Sequence, residues 1–292
     1  MTGSTRTHQI LPGNGGLFLK AVMARKKGLK RGANLPDIAE SIEGVSFTPE
    51  RLAEYEEVCG FESDGKLPIT ALHVLAAPLH TALLTREEFP IKALGLIHVS
   101  NRILQYRRID AQASLSIHVG MGPAQWVPKG VEFNLMTTAR EAGEVVWEEV
   151  STIFWRGAPD PEAARPPHKT AQYQTVSPDT TEEWELPPDQ GRRYAAVSGD
   201  YNPIHLWPLT ARIFGFRRPI IHGMWSLARC ASALQDHLSG ETAAIDIQFR
   251  RPILLPGTIH FEAQQSSAHH FFSGMTAAYD VCFTGTIRTS LR

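Results

Sequence analysis

The chain has 292 residues, with 29 Lys+Arg against 30 Asp+Glu and a formal net charge of −1. That balance argues against a general nucleic-acid binder, which needs a basic face to displace counterions from phosphate. At 42% hydrophobic and 20% charged, it is an ordinary globular composition with material for one large core or two smaller ones.

In chain order, Pro12-Gly13-Asn14-Gly15-Gly16 has no preceding strand and no GxGxxG spacing, so it is not a dinucleotide fingerprint. Arg25 to Arg31 is the one basic run; a solvated surface explains it better than contact with a CoA phosphate or an acidic carrier. Residues 1–20 lack a charged segment followed by an apolar one, so no secretory leader is expected there. The best apolar stretch, Ile69 to Thr85, is too short for a bilayer and is interrupted by His73, Pro78 and His80. It reads as a helix behind Pro68, where a missing N–H costs little. Alternation at Ile97, Val99 and Ile103 predicts strands after it, and FNLMTTAREAGEVVWEEVSTIFW continues in the same manner. Between Gly157 and Gln190 seven prolines predict a connector, dividing an N-terminal unit at 1–156 from a C-terminal unit at 191–292. The second unit repeats the order of the first: Pro219, an apolar helix to Asp236, then strands with Ile245, Ile247 and Phe249 alternating. Cys59, Cys230 and Cys282 are odd in number, scattered and without a CxxC, so a reducing cytoplasm is expected rather than a disulfide framework or zinc ribbon.

A helix apolar on nearly every face expects burial all round. A curved antiparallel sheet wrapped around one central helix, the hot-dog arrangement, provides that. The predicted fold is therefore α+β, with two tandem units, although other helix-on-sheet folds satisfy the same pattern.

The chemistry concentrates between Tyr194 and Met224. Asn202-Pro203 is a helix-start signal: Asn caps free N–H groups and Pro fits the first helical position. His205 then falls in the first turn, and Asp200 lies just before the cap, so a carboxylate and an imidazole converge on one small volume. His222-Gly223 precedes the apolar helix, where glycine permits close backbone approach and free N–H groups face a docked guest. An acid/base pair with an oxyanion donor is what moving a proton α to a carbonyl requires while water adds at the β-carbon.

SGDYNPIH followed by PIIHGM resembles the signature of the MaoC-like, or hydratase-2, family of hot-dog enzymes, and HVLAAPLHTALLT with FPIKALGLIHVSNRI resembles the degenerate first half of its two-unit members. The resemblance implies a (3R)-specific enoyl-thioester hydratase or 3-hydroxyacyl-thioester dehydratase with no metal and no redox cofactor. Asp200 and His205 fall on the family's catalytic pair, and the Gly223 N–H on the position that polarises the thioester carbonyl. Asn202 is assigned to shaping the loop. Ser226 either bonds within the site or serves as a small packing residue, and Arg251 is a candidate for meeting a nucleotide or phosphopantetheine. Around Thr70 to His73 the first half has a His but no matching Asp or Gly, so it is expected to be catalytically silent and to accommodate the acyl chain, with His73 dispensable. Trp207 departs from the Asp more usual before Pro208, with an expected effect on loop packing or substrate shape.

The histidines show no HxxxH or HExxH, so no metal site is predicted, and no GxSxG elbow is present. The partner implied is an acyl-CoA or acyl-carrier-protein thioester, with no nucleic acid, no membrane span and a homodimer open through sheet edges. Two alternatives stand beside hydration: a hot-dog acyl-thioesterase, and a non-catalytic acyl-thioester-binding or interaction subunit.

Overall fold

The computed structural model describes residues 3–157, 160, 162–163, 178–266 and 269–289. The first unit comprises β1 (Ser4–His8), α1 (Asn14–Met23), β2 (Ile38–Val45), α2 (Pro49–Cys59), α3 (Ala71–Leu84), β3 (Ile97–Gln105), β4 (Leu115–Val127), β5 (Gly130–Glu141) and β6 (Glu144–Arg156). The second comprises β7 (Thr180–Leu186), α4 (Gln190–Ser198), a 3-10 turn at Pro203–His205, α5 (Pro208–Ile213), α6 (Gly223–Ala233), a 3-10 turn at Gln235–Leu238, β8 (Ala243–Phe249), β9 (Gly257–Ser266), β10 (His269–Thr276) and β11 (Val281–Arg288).

Among the described residues, eleven strands form one sheet in the order β1-β2-β4-β5-β6-β3-β8-β11-β10-β9-β7. From the central β3–β8 seam outwards, the order β3-β6-β5-β4-β2 on one side matches β8-β11-β10-β9-β7 on the other, each unit's own strands taken in the same sequence. The seam is antiparallel, running from Ser100 opposite Gln248 to Gln105 opposite Ala243. These are two hot-dog units joined edge to edge, as the repeated sequence pattern predicts.

Helices α3 and α6 occupy the hollows of the sheet. Ala71, Leu72, Val74, Leu75, Leu79 and Leu83 of α3 are buried against the sheet, while His73, Ala77, Thr81 and Leu84 form a half-buried face, so the all-round burial expected of this helix is not met; Met224, Trp225, Leu227, Ala228, Cys230 and Ala231 bury most of the circumference of α6. Full burial contributes about 1.5–3 kcal/mol for each leucine, so both helices are held by packing. Helix α3 runs on through Pro78. That proline costs a backbone hydrogen bond, which the surrounding contacts outweigh. Helix α2 has its own punctuation: Thr48 Oγ1 accepts from the Arg51 N–H at 3.3 Å, and Gly60 (φ 82°) ends the helix in the left-handed region.

One boundary differs from expectation. Thr180–Leu186 lies inside the stretch read as connector, yet it is β7, the outer strand of the second unit, with Trp184 and Leu186 buried. The second unit therefore begins ahead of 191. Proline density on both sides masks a short strand whose alternation is confined to two inward residues. The rest of the expected connector, at 158–159, 161 and 164–177, lies outside the described residues.

Candidate active site

Helix α4 delivers the site. It ends at Gly199, whose φ of 78° places it in the left-handed region and whose N–H bonds the Ala195 carbonyl at 2.8 Å. The chain turns there and presents Asp200. The Asp200 N–H bonds Ser198 Oγ at 3.2 Å, and Asp200 Oδ1 accepts from the Asn202 N–H at 3.1 Å. Asn202 Oδ1 in turn accepts from the Ile204 N–H at 3.4 Å, with Pro203 next in line. Asn202 is thus a cap, as predicted; the helix it starts is a single 3-10 turn that ends at His205.

His205 is buried. Its Nδ1 lies 2.8 Å from the Ile220 carbonyl, which can only accept, so Nδ1 carries the proton and Nε2 keeps a lone pair. Ile220 is fixed to the same turn by its N–H on the Ile204 carbonyl at 3.1 Å. Burial pushes the His205 imidazole below its ordinary value of 6.5, against the pull of Asp200. The neutral ring is the form present at physiological pH.

The Asp200 side chain is half-exposed to the cavity. Desolvation by the walls pushes its carboxyl upward, but His222, His205, the Asn202 N–H and His73 together hold it below the usual carboxyl value. His222 is nine-tenths buried or more and stacks on His205 with ring centroids 3.6 Å apart. Its Nε2–H donates to the Asp200 backbone carbonyl at 3.0 Å and lies 3.8 Å from Oδ2. Burial, reinforced by His205, drives His222 down to about 3, so it too is neutral and serves as an anchor.

Gly223 opens α6, and the N–H groups of the first turn have no acceptor within the helix. A Cβ on Gly223 would lie 2.9 Å from the end of the Phe249 ring, so glycine is required by close packing. Ser226 is buried, and its hydroxyl turns back to the His222 carbonyl at 3.4 Å, which favours a packing role. Arg251 sits just past the end of β8 with its guanidinium on Asp280 at 2.6 Å, exposed at the rim. Trp207 is exposed, with the Arg192 guanidinium 4.1 Å over its ring, a loop-packing contact.

These groups face a cavity of about 650 Å³. Asp200, Asn202, His205, Gly223, Ser226 and Arg251 all line it, so the structure gathers the whole predicted set around one space. Part of the opposite wall is one face of α3: His73, Ala77, His80, Thr81 and Leu84. The sequence places His222 and Tyr194 (ring centroid 5.0 Å from His222) inside the chemical stretch without giving either a role, and reads Phe249 only as a strand residue. The HG dipeptide was a signal for His222; the other two lie on separate elements and carry none.

Among the described residues two groups bring donor atoms within 4.8 Å of one another, His73 with His80 and Glu149, and Asp200 with His205 and His222. In the first, His73 Nδ1 is hydrogen-bonded directly to Glu149 Oε1 at 2.7 Å, and in the second the two rings stack.

Residues 164–282 match the MaoC-like domain. The chain is 30% identical over 247 residues to 3-hydroxyacyl-thioester dehydratase X of Mycobacterium tuberculosis, covering 82% of this chain and 85% of that protein. It is 31% identical over 151 residues to the peroxisomal enoyl-CoA hydratase 2 of Arabidopsis thaliana, covering 48% of each. The crystal structure of HtdX of Mycobacterium tuberculosis superposes with a TM-score of 0.74 at 27% identity, covering 86% of this chain and 99% of that one.

Proposed function

Because this chain belongs to the MaoC-like dehydratase family, we propose that its cavity hydrates trans-2-enoyl thioesters to (3R)-3-hydroxyacyl thioesters, or runs the reverse dehydration, in fatty-acid or related acyl metabolism. One observation carries the reading: a neutral His205 with a free Nε2 and an ionised Asp200 share a cavity with the first turn of α6. A water held by both meets an acceptor for its proton. As its oxygen bonds C3, His205 Nε2 takes the water's proton and hands it on to C2, so that H and OH add across the double bond and the ring returns to its neutral form. Negative charge develops on the thioester oxygen, where the Gly223 N–H stabilises it. This is hydro-lyase chemistry, for which the chain's own residues suffice.

The first unit accommodates the acyl chain in this reading. His73, Ala77, Thr81 and Leu84 recur at helical spacing along α3, and Leu94, Leu96, Leu135 and Ile153 add an apolar lining. Arg156, Arg250 and Arg251 also line the cavity. Phe216, shared with the cavity, also lines an adjoining hollow with Arg212, Arg217 and Arg218, which have no carboxylate partner among the described residues. That cationic rim suits the phosphates of CoA, which we take as the thioester carrier.

Cys59, Cys230 and Cys282 are free and buried, and no helix among the described residues is long and apolar enough to cross a membrane; we place the enzyme in the cytoplasm. Self-association into a homodimer would use the β1 edge, because Glu182, Glu183 and Glu185 line β7 and discourage pairing there.

The test uses crotonyl-CoA with wild type and Asp200→Asn, following loss of enoyl-thioester absorbance and release of free thiol in parallel. Asparagine keeps the acceptor for the Asn202 N–H but loses the charge. Absorbance loss without thiol, abolished by the substitution, is the expected result. Asp200-dependent thiol release would make the protein a thioesterase, and a wild-type protein that binds acyl thioesters without converting them would make it a binding subunit.

A further inference from the structure

The first unit, expected from sequence to be silent, places a charged pair in the cavity wall. His73 stands in the first turn of α3, largely buried, and its Nδ1 is 2.7 Å from Glu149 Oε1 on β6. Glu149 is 1% exposed, and Asn101 on β3, also 1% exposed, donates to the same oxygen at 2.6 Å. A carboxylate that deep is retained only with partners, and here the partners aim an imidazole. With Nδ1 taken, Nε2 is the nitrogen left for the cavity. The pair lies towards the reacting end: the His98 ring is 6.4 Å from His73 and 5.2 Å from Phe249, and Phe249 is the ring packed on Gly223. Glu149 Oε2, which lies 3.9 Å from His80 Nε2, Asn101 Oδ1 and His98 Nε2 are buried in the same polar cluster behind His73.

Resting on the enoyl-thioester reading, we infer that His73 is an active-site residue supplied by the first unit, braced by Glu149 so that its Nε2–H donates to the thioester oxygen on which charge develops. The groups facing it are Glu149 from β6, His80 from α3, His98 from β3 and Asp200 from the loop after α4. Burial opposes its charge, but the contact with Glu149 and the field of Glu149 and Asp200 outweigh that and raise it above the ordinary histidine value. The imidazolium therefore persists to higher pH than in an ordinary histidine and is lost as pH rises through the raised value.

The experiment measures kcat and KM for crotonyl-CoA against pH in wild type, His73→Gln and Glu149→Gln. His73→Gln is expected to lower kcat by about 10- to 100-fold with a smaller change in KM. Glu149→Gln, which removes the cause of the raised value, is expected to move the alkaline limb of kcat to lower pH. A residue that merely supports the fold would lower the plateau and leave the limb in place, and that result, or wild-type kcat in His73→Gln, overturns the inference. NMR of the His73 imidazole during titration with butyryl-CoA, which cannot be hydrated, needs no turnover. A shifted resonance supports the contact even if crotonyl-CoA is not converted and the hydratase reading fails. An unshifted one with saturating butyryl-CoA overturns the contact alone.

Discussion

Replacing Gly223 with alanine tests the oxyanion assignment with the least chemical change. The backbone there is compatible with alanine, so the consequence is steric: the new Cβ would sit 2.9 Å from Phe249 Cζ and 3.1 Å from both Cε atoms. Carbon contacts settle at about 3.5–4.0 Å, so either the ring or the start of α6 must give by about 0.6 Å or more. The ring cannot simply retreat, because His98 packs on it with centroids 5.2 Å apart. Overpacking of this kind costs about 1–3 kcal/mol, offset by up to about 1 kcal/mol because alanine is the better helix former. The melting temperature should therefore fall by only a few degrees. Activity should suffer far more, since a displaced N–H no longer meets the developing oxyanion, a loss of about 10²- to 10³-fold in kcat. The assay is crotonyl-CoA hydration beside a thermal melt. Phe249→Leu in the Gly223→Ala background makes room for the methyl and should recover part of kcat. Wild-type kcat in Gly223→Ala would refute the reasoning.

His222→Ala removes the donor to the Asp200 carbonyl and the ring beneath His205; a stability loss of about 1–3 kcal/mol with a marked fall in kcat is expected by chemical denaturation and assay, and unchanged values would show that the anchor is dispensable. Both His205 and Asp200 are held below their ordinary values, and both act unprotonated. Their active forms are thus lost only as pH falls, and the acid limb of kcat/KM should be centred below the ordinary histidine value of 6.5; a limb centred above it would contradict the assignment. Combining Arg212→Gln, Arg217→Gln and Arg218→Gln should raise KM for crotonyl-CoA by about tenfold or more, equivalent to about 1.4 kcal/mol, and make it less dependent on salt. Hydration of the N-acetylcysteamine thioester, which carries no phosphate, should be unaffected. Equal effects on both thioesters would remove these arginines from substrate recognition, and a loss confined to crotonyl-carrier protein would assign them to a protein partner.

What the sequence makes legible here is whatever a few consecutive residues decide. Asp200, Asn202 and His205 are placed by a left-handed glycine, an Asx turn and a cap, each reaching no more than a few positions along the chain, so their convergence can be read before any fold is known. The two apolar helices are legible for a related reason, because burial on most faces leaves an apolar composition, in which the half-buried cavity face of α3 (His73, Ala77, Thr81, Leu84) does not stand out. The β3–β8 seam is different. Nothing in either strand names its partner, yet it brings the two units into one sheet.

The same limit explains why His73 looked dispensable. Compared position by position with the second unit, the start of α3 lacks the Asp and Gly of the motif, and that comparison suggests a site in decay. Its actual partners are Glu149 and, through Glu149, Asn101, which are separated by 76 and 48 positions in the pairs His73–Glu149 and Asn101–Glu149. They meet because Asn101 and Glu149 lie on adjacent strands, β3 and β6, and because the sheet curls over α3. Strand alternation predicts an apolar inward face there; a buried asparagine and glutamate are departures from that pattern, which short-range reasoning treats as noise. The first unit carries no Asp/His pair of its own, but the cavity still has two walls. A polar group on the second wall, desolvated and braced through one carboxylate oxygen, is costly to the fold unless it meets the substrate, and the pH dependence of Glu149→Gln is the measurement that separates those two accounts.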